Sequence, residues 1–302
     1  VIAQAPSGTG KTGAFVVAAL HQIVLNPKAQ VVILAPTHEL VNQIAVVVEA
    51  IGSKIAGLSV KTLVGGTPVQ DDLRALKYSP PHILVGTAGR VHDMLRRRAI
   101  IKDRIRLVVL DEADEMLTGQ FKHQMYDIFQ LIPPEAQVTI FSATLPPDVL
   151  ELTHKFMNPD PVTLTMEAPK LNLEGIQQYF VAVPDDRMKY DALKDLYQKL
   201  TISQSIIYVN SVHRVISLYE SMVRDGFSVC CIHSSMRRED REKSFFEFRT
   251  GTYRVLISSN VTARGIDVQQ VSTVLNFDIP DDVNTYLHRI GRSGRWGRKG
   301  LA

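Results

Sequence analysis

Short apolar runs alternate along this chain with longer segments that have the apolar spacing of a helix. In the first half the runs fall at residues 1–5, 31–34, 61–64, 82–85, 107–110 and 138–141. Helical patterns such as residues 13–25 and 39–51 separate them. Strands that are apolar along their whole length occur in parallel sheets with helices on both faces. The alternation therefore predicts an α/β fold built on such a sheet.

The alternation starts again after about residue 165. Residues 166–175 contain Pro169 and no long apolar run, so we interpret them as a linker. Further strands are expected at residues 178–183, 205–209, 229–232, 255–258 and 274–277, and helices at residues 188–200, 212–225 and 239–249. A chain of 302 residues has room for two domains of ordinary size. We predict tandem α/β domains at residues 1–165 and 176–302, with a ligand cleft between them.

The composition is that of a globular protein, with 45% hydrophobic and 22% charged residues. No apolar run approaches the ~18 residues that span a membrane, and no secretion signal is recognisable. Residues 1–165 carry 15 basic and 15 acidic side chains, so nucleic-acid binding would need a local groove. The adjacent Cys230 and Cys231 are expected to be buried, and two cysteines fit a reducing compartment, either cytoplasmic or nuclear.

Both ends of the chain give the impression of interrupted domains. Val1 already lies in the predicted first strand, and no apolar run follows the basic segment before Ala302. We therefore expect the natural protein to extend in both directions. We also expect the second domain to lack a closing strand, which would leave a sheet edge uncovered.

A glycine-rich turn follows the first predicted strand and opens the first helix. It consists of Ser7, Gly8, Thr9, Gly10, Lys11 and Thr12. Glycines let backbone amides approach phosphate oxygens, and the helix N-terminus adds partial positive charge. Lys11 is expected to reach the β- and γ-phosphates of a nucleotide, and the Thr12 hydroxyl to bind Mg²⁺. Ala5 stands where the strict phosphate-loop pattern has glycine, and an ordinary glycine-rich turn is the alternative interpretation.

An acidic tetrad ends the apolar run at residues 107–110. Its members are Asp111, Glu112, Ala113 and Asp114. Asp111 is expected to hold Mg²⁺, directly or through water, and Glu112 to orient or deprotonate the attacking water. Combined with the phosphate loop, the tetrad predicts hydrolysis of a nucleoside triphosphate. A solvated acidic loop at a strand end is the alternative.

Two further segments are weaker indicators. Ser142 and Thr144 follow another predicted strand, where their hydroxyls could hydrogen-bond Asp114, although a turn or helix cap uses the same residue types. Residues 288–295 space arginines by three, with glycines between them. Such arginines can stabilise the charge of a phosphoryl-transfer transition state, although a basic surface loop has the same composition.

Taken in order, these motifs resemble the DEAD-box family of RNA-dependent ATPases, within helicase superfamily 2. The likeness covers nearly the whole chain and also includes residues 36–40, 65–66, 87–90 and 263–267. Residues 111–117, 126–133, 271–277 and 287–295 are similar to the translation initiation factor 4A subgroup. The resemblance implies two RecA-like domains that close on ATP, Mg²⁺ and single-stranded RNA. It also implies protein activators that bridge both domains.

The resemblance implies roles for individual residues. Asp267 would contact the ribose, Arg292 and Arg295 would act as arginine fingers, and His288 would help to couple the domains. The RNA path would be lined by Thr37, Gly65, Gly66, Thr87 and Arg90 in the first domain and by Ser211, Ser259 and Arg264 in the second. Contacts to phosphate and sugar would make RNA binding insensitive to base sequence and sensitive to salt.

The chain departs from the family pattern where RNA or interdomain contacts are expected. The departures are His38, Ala88, Val212, His213 and Arg238. The family's adenine-reading segment is absent upstream, which leaves base selectivity open. We expect ATP hydrolysis to persist and its coupling to RNA to be weaker at neutral pH, because histidine is charged only below about pH 6.5. The alternative is that neighbours such as Arg214 take over the contacts.

The sequence as a whole favours an ATP-dependent RNA helicase. It would open short duplexes or remodel RNA–protein complexes, in translation initiation or mRNA metabolism. No membrane is expected among its partners. An ATP-locked RNA clamp with little unwinding is the alternative from another functional class. A DNA helicase or a different phosphate-loop ATPase is disfavoured by the RNA-type tetrad and by the lack of a GTPase-like Asn-Lys-x-Asp motif.

Overall fold

The structure is a computed structural model that describes residues 1–25, 29–157, 159–165, 175–200, 202–262, 271–294 and 299–302. The chain divides into two compact units, Val1–Leu171 and Asn172–Ala302. Each unit contains one sheet, and the neighbouring strands in both sheets are parallel. The predicted α/β class with two parallel sheets is confirmed.

The sheet of the first unit has seven strands among the described residues. They are β1 (Ile2–Gln4), β2 (Val31–Leu34), β3 (Val60–Leu63), β4 (Ile83–Gly86), β5 (Leu107–Asp111), β6 (Gln137–Ser142) and β7 (Thr163–Leu164). Their spatial order is β3-β4-β2-β5-β6-β1-β7. The central strands β2, β4 and β5 are buried along their whole length, as their uninterrupted apolar sequences predict.

Helices cover both faces of this sheet. They are α1 (Lys11–Gln22), α2 (His38–Ile51), α3 (Val69–Tyr78), α4 (Ala88–Arg96), α5 (Ala113–Met116), α6 (Lys122–Leu131) and α7 (Pro147–Thr153). In β2, Val31 and Ile33 belong to a core shared with α1 and α2. Val32 and Leu34 belong to a second core shared with α4 and α6. Because side chains alternate along a strand, the two cores lie on opposite faces.

The sheet of the second unit has six strands among the described residues. They are β8 (Ile176–Gln177), β9 (Ser205–Tyr208), β10 (Val229–Ile232), β11 (Val255–Ser258), β12 (Thr273–Asn276) and β13 (Gly300–Leu301), in the order β10-β11-β9-β12-β13-β8. The helices are α8 (Lys189–Lys199), α9 (Val212–Arg224), α10 (Arg238–Arg249) and α11 (Val283–Ile290). In β11, Val255 and Ile257 pack with α9, and Leu256 packs with α10 and α11. Both faces of this sheet are therefore covered as well.

Two predictions about the second unit are wrong. The strand expected at residues 178–183 is instead the two-residue β8, and the side chains of Tyr179, Phe180 and Val181 are exposed. The second unit also has the closing strand that was expected to be missing, because β13 pairs with both β12 and β8. A two-residue strand that contains a glycine has no apolar run, so the pattern could not reveal it.

The adjacent cysteines lie in β10 and are both unbonded. Cys230 is buried, as predicted, and burial raises the pKa of its thiol to about 12. Cys231 is half-buried, and its pKa is raised for the same reason. Both thiols are therefore poor nucleophiles at neutral pH. None of the helices in the described ranges combines the length and apolar character needed to cross a bilayer.

Candidate functional site

Most of the candidate residues of the first unit follow the carboxyl ends of its parallel strands. The glycine-rich turn follows β1, Thr37 follows β2, and Gly65 and Gly66 follow β3. Thr87 follows β4. In the tetrad, Asp111 is the last residue of β5 and the other three residues follow it. The carboxyl ends of parallel strands meet at one edge of a sheet, where α/β proteins commonly bind ligands. The topology thus brings distant parts of the sequence to one edge.

The glycine-rich turn has a backbone that only glycine adopts easily. Gly8 and Gly10 have φ angles of 79° and 97°, in the left-handed region. A Cβ atom at Gly10 would meet open space, so the backbone angle and not packing requires glycine there. The Thr9 hydroxyl donates to the carbonyl oxygen of Pro6 at 2.8 Å. The turn leads directly into α1, whose first backbone amides suit an anionic ligand.

Lys11 is held over this turn. Its Nζ donates to the carbonyl oxygens of Ala5 at 2.7 Å and Pro6 at 3.1 Å. Its charge also acts on Asp111, where it opposes a rise in the carboxyl pKa. The ammonium group therefore lies at the glycine-rich turn, near enough to the acidic end of β5 for its charge to act on Asp111.

Asp111 and Glu112 are buried next to each other at the end of β5. Burial raises the pKa of Asp111 to about 7, the neighbouring negative charge of Glu112 adds to this rise, and the positive charge of Lys11 opposes it. The raised pKa shows that the positive charge of Lys11 does not fully stabilise the buried carboxylate. Such a carboxylate is well suited to bind a divalent cation, which prefers oxygen ligands. Asp111 is therefore suited to bind Mg²⁺, while Thr12, the second residue of α1, stays a predicted ligand.

Glu112 has an unusual backbone conformation. Its φ and ψ angles are 51° and 52°, in the left-handed region, although it is not a glycine. Its N–H donates to Asp111 Oδ1 at 3.0 Å. Such conformations cost about 1–3 kcal/mol and are concentrated at functional sites. The turn at Glu112 ends β5 and lets α5 begin with the following residue.

Asp114 accepts two hydrogen bonds from residues at the carboxyl end of β6. The Ser142 hydroxyl donates to Oδ1 at 2.9 Å, and the Thr144 hydroxyl donates to Oδ2 at 2.6 Å. All three side chains are buried. The hydrogen bonds join α5 to the carboxyl end of β6, while the role of this connection in coupling stays a prediction.

A groove of about 350 Å³ lies in the first unit near the predicted RNA residues. Its lining consists of Pro36, His38, Gly65, Thr87, Gly89, Arg90, Phe121 and Gln124. The His38 ring lies against Gly65, with Nε2 3.6 Å from the position that a Cβ atom on Gly65 would occupy. Thr37 and Gly66 do not line the groove. Thr37 instead caps α2, where its hydroxyl accepts a hydrogen bond from the Leu40 N–H at 3.2 Å.

Arg90 is occupied by hydrogen bonds inside the first unit. It donates through Nη1 to the Thr67 hydroxyl at 3.1 Å and to the Asp72 carboxylate, and through Nη2 to the Thr67 carbonyl at 2.7 Å. Lys61 lies 3.2 Å from the other carboxylate oxygen of Asp72. The buried guanidinium therefore fixes α4 to α3 and to the turn after β3.

The sequence reasoning missed Phe121 and Gln124 in the groove. Gln124 belongs to α6, and its Oε1 is buried without a hydrogen-bond partner among the described residues. The same oxygen lies 3.6 Å from the position that a Cβ atom on Gly89 would occupy. A glutamine near the start of a helix has no distinctive sequence signal, because most such residues face solvent.

In the second unit, three predicted residues lie outside the described residues: Arg264, Asp267 and Arg295. Ser211 caps α9, where its hydroxyl accepts a hydrogen bond from the Arg214 N–H at 3.3 Å. Ser259 follows β11, and His288 belongs to α11. Arg292 follows α11, and its Nε donates to the His288 carbonyl at 3.1 Å.

Arg289 is fully buried in the second unit. It donates to the side-chain oxygens of Asn210, Asn260 and Asn276 at 2.6–3.2 Å and to the Asp278 carbonyl at 2.8 Å. Its guanidinium carbon also lies 5.2 Å from the centre of the Tyr208 ring. These contacts attach α11 to the carboxyl ends of β9, β11 and β12.

Arg214 is held by carboxylates and an aromatic ring. Its guanidinium lies 2.8 Å from Asp186 and 2.7 Å from Asp278, and its central carbon lies 5.4 Å from the centre of the Phe277 ring. Arg238 makes a similar local contact, since its Nε donates to Glu242 Oε1 at 2.7 Å. Arg214 is therefore paired inside its own unit, which weakens the idea that it replaces the missing basic contacts.

Comparison with known proteins agrees with this arrangement. The family model described as DEAD/DEAH box helicase matches residues 1–152, and the one described as helicase conserved C-terminal domain matches residues 188–297. The chain belongs to the DEAD-box helicase family. The prediction from sequence that this chain is a helicase enzyme with two RecA-like domains is thereby confirmed.

Individual relatives cover the whole chain. The chain is 49% identical to the ATP-dependent RNA helicase eIF4A of Schizosaccharomyces pombe over 100% of its own length and 76% of that protein. Dbp5 of S. cerevisiae bound to RNA and ADP BeF3 has a TM-score of 0.91 and 35% identity, over 100% of this chain and 77% of that one. A Dbp5 variant bound to a Gle1 variant and IP6 has a TM-score of 0.76 and 34% identity, over 100% and 76%.

Proposed function

We propose that this protein is an ATP-dependent RNA helicase of the initiation factor 4A type. It binds single-stranded RNA without base preference and couples ATP hydrolysis to local duplex opening or to remodelling of RNA–protein complexes. The observation that carries the proposal is the buried pair of Asp111 and Glu112 at the end of β5, with the Lys11 charge acting on it. The 49% identity to an eIF4A helicase supports the choice of substrate.

ATP binding is assigned to the turn between β1 and α1. Backbone amides of residues 8–12 donate to the phosphate oxygens, and Lys11 exchanges its carbonyl contacts for the β- and γ-phosphates. Thr12 and Asp111 would hold Mg²⁺, which neutralises phosphate charge when it is bound. Glu112 positions the attacking water and accepts its proton.

RNA binding in the first unit is assigned to the groove beside α2 and α4. Thr87 precedes α4 and makes no side-chain cap, which leaves the first amides of this nine-residue helix to an RNA phosphate. Gly65 and Gly89 allow close approach of a strand to the backbone. Gln124 offers an amide to a ribose or base. Contacts of this kind are mainly to phosphate and sugar, and they carry no base sequence information.

The remaining assignments follow the family and concern the second unit. Ser211, Ser259 and Arg264 complete the RNA contacts, and Asp267 binds the ribose of ATP. Arg292 and Arg295 act on the phosphates when the units close, and His288 helps to couple the units. Binding of ATP and RNA to the closed state drives closure, and hydrolysis releases it. Protein activators that bridge both units, a cytoplasmic or nuclear location and a role in translation initiation belong to the same proposal.

The test is ATP turnover with and without single-stranded RNA, with Lys11→Ala as the blank. We expect RNA to increase turnover strongly and Glu112→Gln to abolish it while preserving ATP-dependent RNA binding. Turnover that ignores RNA would contradict the proposed coupling, and persistent turnover in Glu112→Gln would remove that residue from its role. A duplex-release assay then separates a helicase from a clamp, since a clamp would hold RNA for long times without releasing duplexes.

A further inference from the structure

A dense cluster of basic side chains lies between the end of α4 and the start of β5. Residues 96–106, which we call the α4–β5 basic surface, contain one acidic residue, Asp103. Their basic residues are Arg96, Arg97, Arg98, Lys102, Arg104 and Arg106. The segment thus carries a formal charge of +5, whereas the rest of residues 1–165 has nine basic and fourteen acidic side chains. The positive charge of the first unit is concentrated here.

Most of this charge is not neutralised inside the unit. Arg97 pairs with Asp93 through two hydrogen bonds of 2.8 and 2.9 Å. Among the described residues, the other five basic side chains have no carboxylate within 4.0 Å. Four of these five are exposed, and Arg104 is half-buried. The C-terminus of α4 attracts Arg96, but a helix dipole compensates only about half a charge.

The backbone beneath these side chains is fixed. Ile100 and Ile105 are buried and anchor the segment in the core. The N–H groups of Ala99, Arg104 and Ile105 donate to carbonyls of neighbouring residues at 2.9–3.2 Å. The Arg106 N–H donates to the Gln30 carbonyl at 2.8 Å, which aligns the start of β5. The charges are therefore presented as an array on an ordered scaffold, and a partner would not have to order the backbone.

Helix α4 connects this surface to the RNA groove. Its first turn contains Gly89 and Arg90, which line the groove, and its last residue is Arg96. Nine helical residues rise about 14 Å, which is the separation between the two ends. The length of β5 likewise separates Arg106 from Asp111 by about 16 Å. The α4–β5 basic surface therefore lies beyond the groove and away from the ATP site.

We propose that the α4–β5 basic surface binds the phosphate backbone of RNA outside the segment held in the groove. This inference rests on the proposed RNA helicase function. Phosphate is the partner that a close array of exposed arginine and lysine side chains fits best. The segment has no aromatic side chain on which a base could stack, so its contacts are independent of base sequence. The surface extends the RNA-binding site along α4.

The test compares two triple variants that remove the same charge. The first is Arg96→Gln, Arg98→Gln and Lys102→Gln, which spares the paired Arg97. The control is Lys54→Gln, Lys77→Gln and Lys155→Gln, which removes three exposed lysines of the same unit from other places. The RNA affinity of each protein is measured over a range of salt concentrations, with an ATP analogue bound to the protein. The probes are a short single strand that the groove alone accommodates and a strand several times longer.

Each phosphate contact on a single strand contributes about 0.7 to the slope of log affinity against log salt. The first variant is therefore expected to lower the slope for the long strand by about 2 and its affinity at physiological salt by roughly tenfold or more. The short strand should bind both variants like the natural protein, and the control should leave both slopes unchanged. RNA-free ATP turnover and thermal unfolding report whether each variant is folded.

Other outcomes overturn the inference. An unchanged slope for the long strand would show that the surface does not bind RNA, and an equal loss with the short strand would show that it acts on the groove. A third outcome is that the first variant alone loses binding to poly-glutamate while its RNA slopes are unchanged. That result would show that the surface binds an acidic protein and not RNA. Failure of the natural protein to bind either strand would instead contradict the proposed RNA function itself.

Discussion

The buried ion pair between Asp72 and Arg90 gives the sharpest stability prediction. The two side chains are 4% and 8% exposed, so Asp72→Asn leaves a guanidinium charge in the interior with neutral acceptors and without its counterion. Breaking a buried pair in this way costs about 3–5 kcal/mol. The two Thr67 oxygens still accept hydrogen bonds from the guanidinium, which favours the lower end, about 3 kcal/mol.

The same unit supplies a matched control. Asp93 and Arg97 form an ion pair whose side chains are 33% and 50% exposed, so Asp93→Asn should cost less than about 1 kcal/mol. Urea unfolding followed by circular dichroism measures both variants in the transition of the first unit. A difference of about 2 kcal/mol corresponds to roughly a thirtyfold difference in unfolded population. Equal costs for the two variants would refute the assignment of Arg90 as a structural anchor.

Four further predictions concern the proposed sites. Because burial raises the pKa of Asp111 from 3.8 to about 7, the folded state holds this proton after the unfolded chain has released it, so stability is lost between those two pH values and levels off above them. Asp111→Asn should therefore raise the melting temperature of the nucleotide-free protein more at pH 8 than at pH 5, and a pH-independent effect would contradict this. Ser142→Ala with Thr144→Ala leaves a buried carboxylate without two donors, so RNA-stimulated turnover should fall at least tenfold with RNA-free turnover retained; parallel loss of both would indicate simple misfolding. Gln124→Leu should weaken RNA binding about threefold to tenfold without loss of stability in thermal unfolding, and unchanged binding would exclude Gln124 from the RNA site. His38→Arg should strengthen RNA stimulation at pH 7.5 and flatten its increase toward pH 6, whereas equal stimulation in both proteins would reject weakened coupling.

Four of the longer strands could be predicted because each contains a run of at least three apolar residues. β2, β9, β10 and β11 lie at or within one residue of the predicted positions. β7, β8 and β13 have two residues each, and their pairing depends on neighbouring strands that the local sequence does not specify. Strand patterns therefore reveal the four-residue strands, including β10 at the edge of its sheet, better than the two-residue strands.

The candidate ATP residues could be located because their spacing is local. The turn at residues 7–12 and the tetrad are each contiguous, and the strand before each one is recognisable. The partners of Arg90 could not be found in this way, because Asp72 is 18 positions away and nothing in the sequence marks it as buried. Gln124 was missed for a related reason, since only the folded unit places it beside Gly89.

The hydrogen bonds of Arg289 have an evolutionary consequence. Its guanidinium is satisfied by one side-chain oxygen from each of Asn210, Asn260 and Asn276, and Asn210 is 79 positions away in the chain. Replacing one asparagine leaves the buried guanidinium with one side-chain acceptor fewer, and replacing the arginine removes the donor that all three asparagines share. We therefore expect these four positions to be either conserved together or substituted together in related sequences. An alignment of such sequences would show this as covariation among the four positions.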